Sequence, residues 1–356
     1  MIEHDFNELV HAERSKLLAQ LPKGARTLLS AGCAGGWYFD WVEECYGPVE
    51  THVGVELYSP RPDDLPANVQ WIQNSVSNMV DVQSGSVDLL FSGQNIEHLF
   101  YNDLVGFLRE SNRVVRDGGY ICLDSPNRGV TQDLGYTQPQ HVLELSIPDA
   151  IDLAEAAGFN VISVDGIWDC ADGLRRYANA DGLLGDIQKR RSEGRQKPET
   201  AFIWWIVAQK AGPAADTLEA TVDRIVERSF RPFVAARFRT EIGRVHSMEG
   251  TETIIRVPQD RDGYALFGPY IPLQAGDYKA DFDVKVLDGA GTMHFDISAA
   301  GGSELLAACS AEIPKGGWTK ISLPFSVGAF TEGVETRVLS QSTDALVRFG
   351  TQILRV

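Results

Sequence analysis

The residues best suited to chemistry fall at regular intervals in the first 150 or so positions. Ser30-Ala31-Gly32-Cys33-Ala34-Gly35-Gly36 is a glycine-rich stretch between a β-branched run and a helical pattern. Glycines there let the backbone approach a ligand and leave a helix N-terminus free to hydrogen-bond it. The spacing is not G-x-G-x-x-G, so a dinucleotide pyrophosphate cradle is poorly supported. Glu56 follows Gly36 by 20 residues and ends the next β-branched run, where an acid can accept both hydroxyls of a ribose. The plain alternative is a tight turn followed by a solvated strand-end carboxylate.

Two histidines and an aspartate fall at later strand ends: His98 in Glu97-His98, Asp124, and His141 in Gln138-Pro139-Gln140-His141. An imidazole is the natural general base near neutral pH. His98 either serves as that base or packs beneath the glycine-rich loop. His141 is either base or structural. Asp124 orients an imidazole, binds an acceptor hydroxyl, or simply closes a turn.

Positioning these groups requires a parallel sheet, because open α/β sheets bind ligands at the carboxyl ends of their strands. The sequence supplies one. A helical stretch from Phe6 to Gln20 precedes strands at 26–30, 52–56, 69–72, 86–91 and 120–123, with a helix over 102–115 and a turn at Asp117-Gly118-Gly119. Another helix spans Pro148 to Ala157, and further strands are read at 161–164 and 202–207. Between those two lies a polar insertion, 169–200, with Lys189-Arg190-Arg191 and Arg195-Gln196-Lys197. That basic group either holds a phosphate or carboxylate on a substrate or forms a solvated helix face paired with nearby acids.

From about residue 236 the period changes to two. Tyr278, Ala280, Phe282, Val284 and Val286 alternate with charged residues, and the same habit recurs around Met293, Ile321 and Val347. Glycine-rich turns separate the runs, which predicts an all-β sandwich, jelly-roll-like. Phe282, Phe295 and Phe349 fall on the buried phase. The expected domains are 1–213 with the insertion 169–200, a helical linker over 214–235, and the sandwich over 236–356.

Composition narrows the function classes. The chain has 356 residues, 44% hydrophobic and 23% charged, as in soluble globular proteins. A net charge of −17 argues against nucleic acid as a partner. The longest apolar run, Ala201 to Ala208, is too short to span a membrane. The acidic start lacks the pattern of a signal peptide. Five scattered cysteines without a C-x-x-C pair argue against disulfides and structural zinc, and fit a cytoplasmic protein.

Four ordered motifs resemble class I S-adenosylmethionine-dependent methyltransferases over roughly residues 25 to 210. Ser30 to Gly36 resembles the family's D-V-G-C-G-x-G, and Glu56 stands at its ribose-binding acid. Ser86 to Leu99 resembles F-D-L-V-x-x-x-x-x-L-E-H. Arg113 to Gly119 with Ser125-Pro126-Asn127-Arg128 resembles R-V-L-K-P-G-G and T-P-N-R. The resemblance implies a Rossmann-like sheet with helices on both faces and S-adenosylmethionine held by Ala31, Gly32, Cys33, Gly36, Glu56, Leu57, Ser75, Val76, Ser92 and Gln94. In such a fold the strand-end residues His141, His98 and Asp124 are the expected catalytic groups. Ser30, Ala34 and Ser75 depart from the usual Asp, Gly and Asp. Some relatives bind a divalent ion through E-x-x-E-H. Here Gln94 replaces the first acid, and no metal is expected.

The second half resembles, at fold level, carbohydrate-binding modules of surface-polysaccharide enzymes, with Trp318 and Tyr270 as candidate sugar-stacking rings. The combined expectation is a cytoplasmic O-methyltransferase acting on a small-molecule or glycan hydroxyl in polysaccharide biosynthesis. It would work as a homo-oligomer or beside a biosynthetic partner. The alternative is a methyltransferase-like scaffold without turnover.

Overall fold

The computed structural model describes residues 2–99, 101–134, 136, 138, 141–173, 183–235, 238–247, 253–273, 275–289, 291–329, 331–348 and 352–356. The chain divides into two units, Met1–Thr137 with Glu144–Ile225, and Gln138–Leu143 with Val226–Val356.

In the first unit the order is α1 (Ile2–Leu18), β1 (Thr27–Ala31), α2 (Gly36–Tyr46), β2 (Thr51–Glu56), β3 (Val69–Gln73), β4 (Val87–Gly93), α3 (Tyr101–Val114), β5 (Val115–Pro126), α4 (Arg128–Thr131), α5 (Ile147–Ala156), β6 (Phe159–Asp169), α6 (Leu183–Gln196), β7 (Ala201–Lys210) and α7 (Leu218–Ala235). The sheet runs β3-β2-β1-β4-β5-β7-β6. Strands β1 to β5 are parallel, while β7 is antiparallel to both β5 and β6. This is the expected Rossmann-like α/β fold. The central strands β1, β4 and β7 are buried along most of their length, because helices cover both faces of such a sheet. That is why they read as continuous apolar runs.

Two elements differ from the sequence reading. The turn expected at Asp117-Gly118-Gly119 lies inside β5, where the register shifts between Val87/Val115 and Leu89/Tyr120. Gly118 has φ +70°, and a Cβ on Gly119 would sit 2.8 Å from Val115 and 3.0 Å from the Asp88 carbonyl. The glycines therefore build a bulge within a strand, a role that composition does not separate from a turn. Strand β6 is longer than expected because it pairs along β7 from Phe159 to Asp169.

The insertion carries α6, which packs backbone-close against β6. A Cβ on Gly166 would collide with the Gly194 carbonyl. Its three arginines are committed to this packing. Arg190 is buried and pairs with Asp172 and Asp186, while Arg191 lies 2.9 Å from the buried Glu13 of α1. Arg195 reaches Glu13 and Asp165, each at 4.0 Å. Of the two sequence readings, the paired helix face is the one the structure has.

The second unit contains β8 (Arg244–Ser247), β9 (Thr253–Val257), β10 (Gly263–Leu273), β11 (Gly276–Gly289), β12 (Thr292–Ala299), β13 (Glu304–Glu312), β14 (Thr319–Val327), β15 (Thr331–Ser340), β16 (Thr343–Arg348) and β17 (Gln352–Arg355). They form two antiparallel sheets, β10-β15-β12-β13 and β14-β11-β16-β9-β8, with β17 also on β11. Burial alternates along β11 and β12 as the period-two pattern requires. Phe282 of one sheet meets Phe295 of the other with ring centroids 5.1 Å apart. Phe349 lies outside the described residues.

Candidate active site

The chain leaves β1 at Ala31 and turns sharply. Gly32 has φ +74°, its N–H donates to the Val55 carbonyl at 2.9 Å, and a Cβ there would lie 2.7 Å from Asn95 Oδ1. Only glycine fits that approach. Ala34 also adopts a left-handed φ, +54°, which costs an alanine on the order of 1–2 kcal/mol. The strain has a visible purpose: it turns the Ala34 N–H onto Glu56 Oε2 at 2.9 Å. The other oxygen, Oε1, accepts from the Tyr58 and Ser59 amides at 2.9 and 3.2 Å. Glu56 is 7% exposed, so three backbone donors hold one carboxylate in a single pose. Oε2 keeps a lone pair for a ligand hydroxyl.

Other predicted cofactor residues surround this turn in different ways. Cys33 is buried, and burial first, then Glu56, pushes its thiol up to about 12. Gly36 opens α2 with no side-chain cap on the helix N-terminus. Leu57 is exposed and Val76 buried. Ser75 shares a 2.8 Å hydrogen bond with Ser77, which donates to Asp103 at 2.9 Å. Ser92 braces the loop from inside the sheet, donating to the Ala31 carbonyl at 3.1 Å and accepting from Asn95 at 3.0 Å. Ser30 points into the core, 2.9 Å from His52 Nε2, while His52 Nδ1 faces Glu43 Oε1 at 3.0 Å. Burial holds the His52 pKa below the ordinary value against the pull of Glu43. The neutral ring therefore donates Nδ1–H to Glu43 and accepts the Ser30 hydroxyl proton at Nε2.

Asp124, at the end of β5, is fully buried and already engaged. Arg14 of α1 donates to Oδ2 through Nε at 3.2 Å and Nη2 at 3.0 Å, and Gln94 donates to Oδ1 at 2.7 Å. The guanidinium carbon stands 5.0 Å from the centroid of the Trp41 ring. Burial disfavours the charged guanidinium, but Asp124, Tyr38 and Glu97 outweigh it and the Arg14 pKa is raised. The Tyr38 hydroxyl is buried beside this pair with no hydrogen-bond partner among the described residues. Asp124 is thus the anchor of a buried ion pair rather than a carboxylate waiting for an imidazole. A fully buried carboxylate has to be paired.

Sequence reasoning missed Arg14 and Tyr38. The signal for Arg14 was present: Phe6, Val10, Leu17 and Leu18 mark the buried stripe of α1, and Glu13-Arg14 interrupts it. Charges on an apolar stripe ask for buried partners. His98 closes a short 3-10 turn, Ile96–His98, directly after β4, and Glu97 beside it is fully buried. His141 is buried within Gln138–Leu143, the segment grouped with the second unit.

Known proteins resemble this part of the chain. Residues 29–123 match a family model described as a methyltransferase domain. This part of the chain is similar to S-adenosylmethionine-dependent methyltransferase domains. A probable S-adenosylmethionine-dependent methyltransferase of Mycolicibacterium smegmatis is 28% identical over 172 residues, covering 47% of this chain and 65% of the relative. One of Mycobacterium tuberculosis H37Rv is 30% identical over 154 residues, covering 40% and 52%. The chain thus spans about half to two thirds of these relatives. Among solved structures, an Archaeoglobus fulgidus methyltransferase aligns with TM-score 0.42 and 20% identity over 57% of this chain and 94% of its own. A Burkholderia thailandensis toxoflavin-pathway N-methyltransferase bound to S-adenosylhomocysteine aligns with TM-score 0.39 and 15% identity, covering 59% and 84%. Oε2 of Glu56, beside the loop backbone at Gly32 and Ala34, has the chemistry to accept a ribose hydroxyl. Among the described residues no helix is long and apolar enough to cross a membrane.

Proposed function

We propose that the whole chain is an S-adenosylmethionine-dependent O-methyltransferase acting in the cytoplasm on a sugar or glycan hydroxyl, in surface-polysaccharide biosynthesis. The observation that carries the cofactor half is the Glu56 carboxylate fixed by the Ala34, Tyr58 and Ser59 amides. Bound S-adenosylmethionine supplies an electrophilic methyl group on a sulfonium. The chain's task is to align an acceptor, exclude water and take a proton. Glu56 orients the ribose. Trp41 and Phe91, with ring centroids 6.0 Å apart, help wall the region from water. The acceptor half is supported by a polar floor, Arg14-Asp124-Gln94, at the tips of β4 and β5, and by His98 and His141 as candidate bases for a hydroxyl proton.

Calorimetric titration with S-adenosylhomocysteine should show micromolar-range binding that is lost in Glu56→Ala. No measurable binding to the parent protein would defeat the cofactor reading. Transfer of labelled methyl to amine or carbon acceptors, with none to sugar hydroxyls, would defeat the acceptor reading alone.

A further inference from the structure

Directly after Gly35-Gly36, in the first turn of α2, Trp37 is 58% exposed. Tyr38 and Trp41 on the same helix are buried. An indole left in water forgoes the burial that makes tryptophan a strong contributor to cores. Folding alone does not account for its position.

The surroundings of Trp37 are ordered by aromatic contacts. Its ring centroid lies 6.1 Å from that of Trp41 and 6.3 Å from that of His11 on α1. The His11 ring also lies 4.6 Å from Trp41, tilted by 34°. Trp41 is held in place by Ser15, whose hydroxyl accepts from the indole Nε1 at 2.9 Å and donates to the His11 carbonyl at 2.9 Å. Arg14 passes 5.0 Å over the Trp41 ring on its way to Asp124. Trp37, His11 and Trp41 therefore make one wall, which leads from the glycine-rich turn to the floor of Arg14, Asp124 and Gln94.

His11 gives this wall a polar edge. Neither of its ring nitrogens is hydrogen-bonded among the described residues. Burial first, then the Arg14 charge, lowers its pKa. Near pH 7 the ring is neutral, with one nitrogen to donate and one to accept. Arg14 is paired with Asp124, so the wall offers no unpaired cation to a phosphate or carboxylate.

We propose that this wall seats the methyl acceptor, with the C–H face of a neutral pyranose on Trp37 and a ring hydroxyl paired with His11. The inference rests on the sugar-acceptor reading above and adds the side chains that select the sugar. Position favours the reacting molecule as the occupant: a Cβ on Gly35 would lie 3.7 Å from Trp37 Cδ1, so the indole borders the turn that faces the methyl donor. A pyranose presents an apolar C–H face with a rim of hydroxyls, which an indole face beside a neutral imidazole matches. A protein partner is disfavoured by size, since a stable interface covers about 800 Å² on each side. His11 here positions the acceptor and takes no proton.

The test is transfer of labelled methyl from S-adenosylmethionine to maltotetraose, cellotetraose and mannotetraose by the full chain. At least one should be methylated. For that sugar, Trp37→Ala should raise KM by about tenfold or more with kcat held within about threefold, as expected when binding common to ground and transition states is lost. His11→Ala should raise KM as well, and His11→Gln, which keeps a donor and an acceptor, should restore most of it. Affinity for S-adenosylhomocysteine and the thermal midpoint should hold in all three variants. An unchanged KM in Trp37→Ala overturns the proposal and leaves the sugar-acceptor reading standing. A matching loss of S-adenosylhomocysteine affinity in Trp37→Ala assigns the indole to the cofactor and also overturns it. Transfer to none of the three sugars defeats the acceptor reading, and the proposal falls with it.

Discussion

In the seven-stranded sheet the polar groups gather at strand ends, whereas in β10-β15-β12-β13 they lie across a sheet face. The cause is what covers each sheet. Helices pack on both sides of a parallel sheet, so only its carboxyl edge can meet a ligand. An antiparallel sheet needs one buried face and can expose the other. The contrast has an energetic side. Asp124 is fully buried and depends on Arg14 and Gln94, while Asp296 and Arg337 remain partly in contact with water. Strand-end substitutions should therefore damage stability and chemistry together, and sheet-face substitutions should cost little stability.

The largest effect expected is in Asp124→Ala, which strands the buried Arg14. Denaturant unfolding should show a loss of about 3–5 kcal/mol. The double variant Arg14→Met/Asp124→Ala should recover most of it. A single-variant loss below about 1 kcal/mol, the scale of an exposed pair, would erase the contrast between the regions.

Next in size is the proton acceptor. Single variants His98→Ala and His141→Ala should be compared, and removal of the true base should lower turnover by at least about 100-fold. Affinity for S-adenosylhomocysteine should hold in both. If both variants keep parental turnover, alignment alone carries the reaction.

The smallest effect concerns pH and sharpens the strand-end side. His52 is held neutral, its pKa below the ordinary imidazole value chiefly through burial. The unfolded chain binds the proton more readily, so this contribution is complete above about pH 6.5 and falls away as pH drops toward the folded pKa. The thermal midpoint should fall by a few degrees between neutral and mildly acidic pH. His52→Gln should flatten that slope, and an unchanged slope would remove His52 from the account.

Much of this was legible in the sequence, and the exceptions have physical reasons. Strands β1 to β5 were readable because central parallel strands are continuously apolar, and Glu56 because a strand-end acid after a glycine loop has few other uses. The β5 bulge was not, since Gly118-Gly119 spells a turn and a bulge alike. The pairing of Arg14 with Asp124 spans 110 positions, beyond any local pattern, although the interrupted stripe of α1 announced that a partner existed. Tyr270 was visible as an aromatic, but its bulge, where the β10–β15 register shifts, and its hydrogen bond with Glu335 depend on a neighbouring strand.

The clamp on Glu13 also sets a clock. Glu13 and Arg14 are made first, while Arg191 and Arg195 follow nearly two hundred residues later. Lys16, 2.7 Å from Glu13, is made almost at once, but at roughly 5–20 residues per second the two arginines follow roughly 10–40 s later. Over that interval the helix has α2 to pack on, with Trp41 donating to Ser15, but lacks the arginines that complete the pairing of Glu13. The packing around the first helix is therefore completed only once the distant α6 has left the ribosome.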